Sequence, residues 1–457
     1  MGEVNVPADR YWGAQTQRSL HHFSIGTDKM PLPLYHAYGM VKKAAILINA
    51  RGGRLPPWQA AAMTRAADET ISGALDAHYP LFVWQTGSGT QSNMNVNEVI
   101  SNRAIQLLGG ALGSQAPVSP NDHVNMGQSS NDTFPAAMHV ATVLQLDRVL
   151  LPAAEAFAAA IETKSLEWMD VVKTGRTHLQ DAVPLTVGQE WSGYAAQVRD
   201  ALAGVEASKA GLYRLAAGGT AVGTGINAPP GFSVDMAREI AAMTGLPFVT
   251  APNKFAAQAS LDAMVAASAA LRGLAVALMK IANDMRWLAS GPRCGLGELI
   301  LPDNEPGSSI MPGKVNPTQC EAMVMVCIQV IGDDTAVAFA GSQGNFELNA
   351  MRPIIINNVL QSIRRLADMC AAMRAHSIEG TTLNRARIDA DVGQSLMLVT
   401  ALSPVIGYHH AAHIAAQANR DGSTLKAAAL ASGLVDEATY DRVVDPRALV
   451  GQGLAGA

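Results

Sequence analysis

Trp191, Tyr194, Val198, Leu202 and Val205 recur at steps of three and four. That spacing puts their side chains on one face of an α-helix. No proline interrupts the chain between Pro184 and Pro229, nor between Pro252 and Pro292, where Ala, Leu and Met dominate. Forty residues of unbroken helix would reach about 60 Å. A third stretch, Thr318 to Ile331, is apolar on nearly every side except at Glu321 and Gln329. A helix without a polar face belongs inside a bundle. Neither evenly spaced strands nor a βαβ alternation is visible. The pattern predicts a mostly α protein with a long central bundle, and helices apolar on several sides predict association between copies. Gly- and Ser-rich segments at 86–92, 127–133, 218–226 and 306–313 break the helices, and such breaks are where ligand contacts concentrate.

The chain has 457 residues, enough for two or three domains. It is 49% hydrophobic but only 5% aromatic, so the core is aliphatic. Its 33 basic and 38 acidic residues leave a net charge of −5. Nucleic acid and anionic membrane are thereby disfavoured as main partners, since both need a basic surface. Cys294, Cys320, Cys327 and Cys370 show no CxxC spacing, which indicates neither a zinc site nor a disulfide framework and suits a reduced, intracellular chain. The opening MGEVNVPADRYWG is neither a signal peptide nor an Arg-rich transit sequence, so the expected compartment is the cytoplasm. Val392 to Asn419 carries no charged residue and is long enough to span a bilayer. Its proline, two glutamines and three histidines instead predict a buried helix pair in a soluble protein.

The candidate chemistry is densest at Gly307–Pro317, GSSIMPGKVNP. Taking a proton from carbon beside a carboxylate creates a dianionic, enolate-like species whose charge fixed donors must meet as it forms. Lys314 offers a positive charge and Asn316 an amide. Asn316 and Pro317 also read as the N-cap and first position of the next helix, aiming its positive end at the loop. Ser308 becomes a base only in a field that strongly favours its anion. A second segment, Gly175–Ala182, carries His178, a natural proton carrier near neutral pH. Glu321, the sole acid in an otherwise apolar helix, is the natural partner for it. Gln128–Asp132 and Gly87–Asn93 offer hydroxyls, amides and small residues suited to a carboxylate, though the former residues also make ordinary helix caps. Gly87–Asn93 lacks the Gly-Lys-Ser/Thr ending of a phosphate loop, and the glycines of Gly218–Gly225 do not fit the dinucleotide fingerprint.

With these segments together, the chain resembles the class II fumarases of the aspartase/fumarase superfamily. Val6-Pro7-Ala8, Trp12–Gln17, Thr250–Phe255 and Gly344–Asn349 carry the likeness along its length. His178 after Thr177, where aspartases typically have glutamine, and Thr318–Ala322 after the loop favour fumarase within the superfamily. The resemblance implies three helical domains, 1–128, 129–385 and 386–457, in a homotetramer whose active sites each draw on three subunits. It implies reversible hydration of fumarate to L-malate without metal or redox cofactor. Ser308 would be the base that takes the C3 proton, and Lys314 and Asn316 would hold the aci-carboxylate. His178, oriented by Glu321, would polarise the water. Ser88, Gly89, Thr90, Ser129, Ser130, Asn131, Thr177, Ser309 and Val315 would complete the substrate-binding set. Many relatives have a histidine before Pro-Asn-Asp in a second anion site. Here Ser119 precedes Pro120, Asn121 and Asp122, and Ala116 adds no charge, so this site is not expected to bind carboxylates as it does there. His409 and His413 could share a helix face, but no third ligand is evident and no metal is expected. Typical members also carry a short extra N-terminal arm, expected to be peripheral. The competing readings are an ammonia-lyase or other lyase on a substituted succinate, and a non-catalytic structural relative, which should have lost Ser308, His178 or Lys314.

Overall fold

The long proline-free stretches become long helices: Val187–Leu212, Asp262–Leu288 and Thr318–Gly341, joined by Leu32–Arg51 and Arg352–Met373. A computed structural model describes residues 2–451 and 453. Among these, seventeen α-helices accompany four two-stranded sheets, so the fold is mostly α. Helix Asp262–Leu288 has 27 residues, about 40 Å. It falls short of the expected 60 Å because Asn253 caps a separate helix, Lys254–Ala259, and Ser260 then turns extended. Trp191, Tyr194, Val198, Leu202 and Val205 are all buried, as their spacing requires.

Helices 262–288 and 318–341 are apolar and long enough to cross a membrane, yet only 44% and 33% of their most apolar windows are buried. Val276, Met325, Ile328 and Phe339 stand exposed on them. Apolar surface of this extent marks an interaction face.

The chain packs into two compact units. The first comprises Met1–Pro152, Leu202–Ala275 and Val326–Ala367. At its centre helix 32–51 packs against Pro57–Ile71, Ser130–Gln145 and Phe232–Thr244. Tyr35 stacks on Tyr79 with ring centroids 4.4 Å apart. The N-terminal segment is tied down by buried Glu98, whose carboxylate accepts from Gly13 N (2.8 Å), Gln15 N (2.9 Å), Thr16 N (3.1 Å) and Thr16 Oγ1 (2.6 Å). A negative charge at the start of helix Ala14–His22 complements its dipole.

His139 is buried in this unit with Nδ1 3.1 Å from the Arg214 carbonyl, and burial pulls its pKa down to about 4. The unfolded chain therefore takes up a proton below pH ~6.5 that the folded chain refuses until pH ~4. Stability is full above that window and declines through it as pH falls, by about 3 kcal/mol per chain. Thermal unfolding followed at stepped pH should show the decline, and His139→Asn, which keeps a donor for the carbonyl, should flatten it.

The second unit comprises Ala153–Ala201, Val276–Met325 and Asp368–Ala457. It holds an antiparallel hairpin, Val172–Thr177 with Gln180–Thr186, that the sequence pattern does not announce. Its Leu398–Val444 region has its own core of Leu402, Ile414, Ala429 and Tyr440 among others. The expectation of a buried helix pair over 392–419 needs correction. The segment breaks into the end of Arg385–Gln394, a 3-10 turn Leu396–Leu402, Ser403–Ile406 and Tyr408–Asp421. Ser395 is extended and Gly407 has φ 83°, so no helix continues through them. Only Ala411, Ile414 and Ala418 are buried in the last helix. The four cysteines form no disulfide: Cys294 is exposed, and Cys320, Cys327 and Cys370 are buried. Burial pushes the thiols of Cys320 and Cys327 up to about 12.

Candidate active site

In the first unit, the loop before helix Thr90–Leu107 runs so close to its neighbours that side chains cannot fit. A Cβ on Gly87 would lie 1.3 Å from the Ala350 carbonyl oxygen, and one on Gly89 2.0 Å from the Phe134 ring. Gly89 also has φ 78°, the left-handed region that favours glycine. This path brings three hydroxyls into a row: Ser88 Oγ lies 2.8 Å from Thr90 Oγ1, which lies 2.8 Å from Ser130 Oγ. Ser129 caps helix 130–145, its Oγ accepting from Asn131 N at 3.1 Å. Asn131 Nδ2 donates to the Ala221 carbonyl at 2.8 Å. Asp132 returns the cap by accepting from Ser129 N at 2.9 Å, and its other oxygen accepts from Gly218 N at 2.7 Å. Burial raises its pKa against those donors.

Two charged residues that the sequence reading did not single out lie beneath this cluster. The guanidinium of Arg352 is fully buried and donates to the carbonyls of Ser88 and Ser130 at 3.4 Å and of Gln258 at 2.9 Å. Lys42 is fully buried, with Nζ donating to Asn93 Oδ1 (2.7 Å), Asn125 Oδ1 (3.0 Å) and Gln128 Oε1 (3.0 Å). Burial pulls Lys42 down to about 7 and Arg352 to about 10. The visible signal was a pair of lysines, Lys42 and Lys43, set into an otherwise apolar helix. Only the fold shows that Lys42 turns inward.

In the second unit, Gly307–Pro317 closes on itself. Gly307 N donates to the Lys314 carbonyl at 3.0 Å, and Asn316 Nδ2 donates to the Gly307 carbonyl at 2.6 Å. A Cβ on Gly307 would lie 2.1 Å from the Lys314 oxygen, so glycine alone fits this closure. Ser308 Oγ accepts from Ile310 N at 3.2 Å and Met311 N at 3.0 Å. Amide donors aimed at an oxygen favour its anionic form. Ser309, Lys314 and Val315 are exposed, and Lys314 makes no ion pair among the described residues. Ser308, Met311 and Lys314 line a hollow of about 420 Å³ together with Asp303 and Glu305.

The following helix starts one residue later than expected. Glu321 N bonds the Pro317 carbonyl, making Pro317 the cap and Thr318 the first helical residue. The Asn316 side chain is drawn to Gly307 instead of capping. Glu321 lies in the first turn and is exposed.

His178 sits at the tip of the hairpin. His178 and Leu179 both have positive φ, 56° and 62°, between paired Thr177 and Gln180. Such two-residue turns favour Asn and Gly. A histidine and a leucine there hold strain of order 1–2 kcal/mol each, and Leu179 is 65% exposed. The strand Val172–Thr177 that leads into this tip is pinned by buried charge. Lys173 pairs with Glu190 (2.5 Å) and Glu298 (2.8 Å), and Arg176 pairs with Glu298 (2.6 Å) and Asp391 (3.8 Å). Thr177 and His178 are exposed, and no hydrogen bond or ion pair joins His178 to Glu321 within one chain among the described residues. The partnership expected from sequence is thus not made within the chain.

Ser119 caps the turn Pro120–Val124. Its Oγ accepts from Asp122 N (3.1 Å) and donates to Asp122 Oδ2 (3.0 Å), so the two side chains satisfy each other. Ser119 N donates to His123 Nδ1 at 2.8 Å. Pro120 and Asn121 line a cavity of about 820 Å³ that also touches Thr90, Arg10, Arg18 and His22. Glu98 lines the same cavity, so cations and an acid of the N-terminal part of the chain meet beside Asn121, a juxtaposition that sequence spacing could not reveal. His409 and His413 lie on one exposed helix, and no group of three or more His, Cys, Asp or Glu among the described residues is placed to hold a metal.

The lyase family profile matches residues 2–332, and a profile of the fumarase C C-terminus matches 398–451. A class II fumarate hydratase from Methanosarcina acetivorans is 68% identical over 451 residues, covering 99% of this chain and 93% of that protein. A mitochondrial fumarate hydratase from Rhizopus oryzae is 57% identical, with 98% and 91% covered. The crystal structure of recombinant class II fumarase from Schistosoma mansoni superposes with a TM-score of 0.97 at 42% identity, over 98% of each chain.

Proposed function

The chain belongs to the class II fumarate hydratases of the lyase family, and from that membership we propose how its residues interconvert fumarate and L-malate. In the dehydration direction Ser308 Oγ takes the C3 proton of malate. The electrons of that C–H bond move towards the adjacent carboxylate, which becomes an aci-carboxylate dianion. Lys314 and the second N–H of Asn316 meet this charge. The C2–O bond then breaks, and the leaving hydroxide takes a proton delivered at His178, oriented by Glu321, to depart as water. Ser88, Gly89, Thr90, Ser129, Ser130, Asn131, Thr177, Ser309 and Val315 line the substrate. The observation that carries this reading is the pair of backbone N–H groups on Ser308 Oγ. They make the anion of an otherwise very weak base accessible.

The substrate is a small dicarboxylate. We infer a homotetramer in which three subunits complete each site. The apolar faces bearing Val276, Met325, Ile328 and Phe339 support it, as does the lack of a His178–Glu321 contact within one chain. The three domains 1–128, 129–385 and 386–457 and a cytoplasmic location belong to the same proposal, while relatives of this chain include proteins named mitochondrial. Malate and aspartate assayed side by side, by the ultraviolet absorbance of the fumarate formed, test the reading. Malate alone should give fumarate. Turnover of aspartate alone would replace this assignment by an ammonia-lyase, and turnover of neither would favour a structural relative.

A further inference from the structure

The row Ser88–Thr90–Ser130, with Asn131 beside it, is electrically neutral, yet the ligand proposed for it is an anion. We propose that Lys42 is the buried charge that equips this row to hold a carboxylate. It is a positioning residue, acting through Asn93, Asn125 and Gln128 without touching the substrate. The inference rests on the reading that the row binds a substrate carboxylate.

Four observations carry it. Lys42 is fully buried, and its three acceptors match the three N–H groups of an ammonium ion. All three are neutral amides, so the charge has no carboxylate in contact. Their orientation is fixed by their other bonds. Gln128 Nε2 donates to the Val124 and Met126 carbonyls, and Asn125 Nδ2 to the Gln128 carbonyl, which leaves their oxygens facing the amine. The acid whose charge reaches Lys42 is Asp132, already committed to Ser129 N and Gly218 N. With Lys42 protonated, Lys42 and Arg352 together outnumber the one acid beneath the row, Asp132, so the buried balance is positive. Finally, the charge is wired to the row. Gln128 directly precedes Ser129, and Thr133 Oγ1, which donates to the Ser129 carbonyl at 2.7 Å, lies 3.3 Å from Asn93 Oδ1.

A buried ammonium without a counter-ion is destabilising. A lysine kept only to hold the fold would gain from a carboxylate partner. Here the missing negative charge is left for a ligand to supply, in a setting of low dielectric where a fixed cation acts strongly.

Asn125→Asp is the decisive variant. Asn125 Oδ1 already accepts from Lys42 Nζ (3.0 Å), Asn93 Nδ2 (3.2 Å) and Asn97 Nδ2 (3.1 Å), so a carboxylate of the same shape meets three donors. It gives Lys42 a counter-ion and cancels the charge in place. In the assembled full-length enzyme, Asn125→Asp should raise KM for malate and the inhibition constant of succinate about tenfold or more. The kcat should change far less than KM, and the melting temperature reports separately the cost of setting the second carboxylate oxygen against the Gln128 carbonyl. Lys42→Met should show the same KM increase if it folds, and Asn125→Asp decides the matter if it does not. An Asn125→Asp enzyme with wild-type KM and succinate affinity would overturn the inference, whatever its stability. Thr90→Val separates this from the underlying reading. If Thr90→Val raises KM and Asn125→Asp does not, the inference alone fails. If Thr90→Val leaves KM unchanged, the row does not hold the carboxylate and both fail.

Discussion

Ser308→Ala lowers kcat for malate dehydration by about a thousandfold or more, with KM nearly unchanged. The size follows from the proposed role, since a positioned general base contributes roughly 10²–10⁴-fold. The selectivity for kcat follows from the geometry. Removing Oγ deletes the atom proposed to receive the proton and leaves the other proposed substrate contacts in place, so the loss should fall on the transition state. The loop itself should survive. Its closure is made by Gly307 with the Lys314 carbonyl and by Asn316 with the Gly307 carbonyl, neither of which involves Ser308. The amides of Ile310 and Met311, released from Oγ, lie on exposed residues where water can take over. Steady-state rates in both directions, with deuterium exchange at C3 of malate, measure the effect. Near-normal turnover with normal exchange would place the base elsewhere.

Diluting the enzyme until sedimentation shows only monomers abolishes turnover, and reconcentration restores it. A single chain leaves His178 exposed on a strained turn, and Glu321 exposed with no contact to it. The hydroxyl row belongs to one compact unit and the Ser308 loop to the other. The apolar faces of helices 262–288 and 318–341 stay open, which assembly would cover. The loss is therefore one of catalytic completeness, and the drop in activity should track the monomer fraction. An active monomer would overturn the shared-site reading while leaving the fumarate hydratase assignment intact.

The helical skeleton was legible because its signals are local. Three-and-four spacing put Trp191 to Val205 on one buried face, and long gaps between prolines marked the long helices. The loop 307–317 was legible because glycine, lysine, serine and asparagine have few other reasons to crowd together. What escaped notice depended on tertiary contact. The hairpin under His178 has buried Lys173 and Thr174 where alternation would call for apolar residues, because a network of acids receives the lysine. The cap of helix 318–341 shifted because Asn316 found a carbonyl nine residues back. Lys42 and Arg352 went unnoticed in the sequence because only the packing turns them inward. Arg10 and Arg18, which line the cavity beside Asn121 together with Glu98, lie some hundred positions earlier in the chain than Asn121.

Fumarate is an electrophile. Its double bond, conjugated to two carboxyl groups, adds thiolates irreversibly, so an enzyme that accumulates it is exposed to alkylation by its own product. Cys320 stands in the first turn of helix 318–341, where the dipole would ordinarily favour a reactive thiolate. Burial outweighs that influence and holds Cys320 and Cys327 protonated near neutrality, while Cys370 is screened within the fold. The sulfur nearest the chemistry in sequence is thus kept inert against self-inflicted covalent damage, and Cys294 alone meets the surrounding solution.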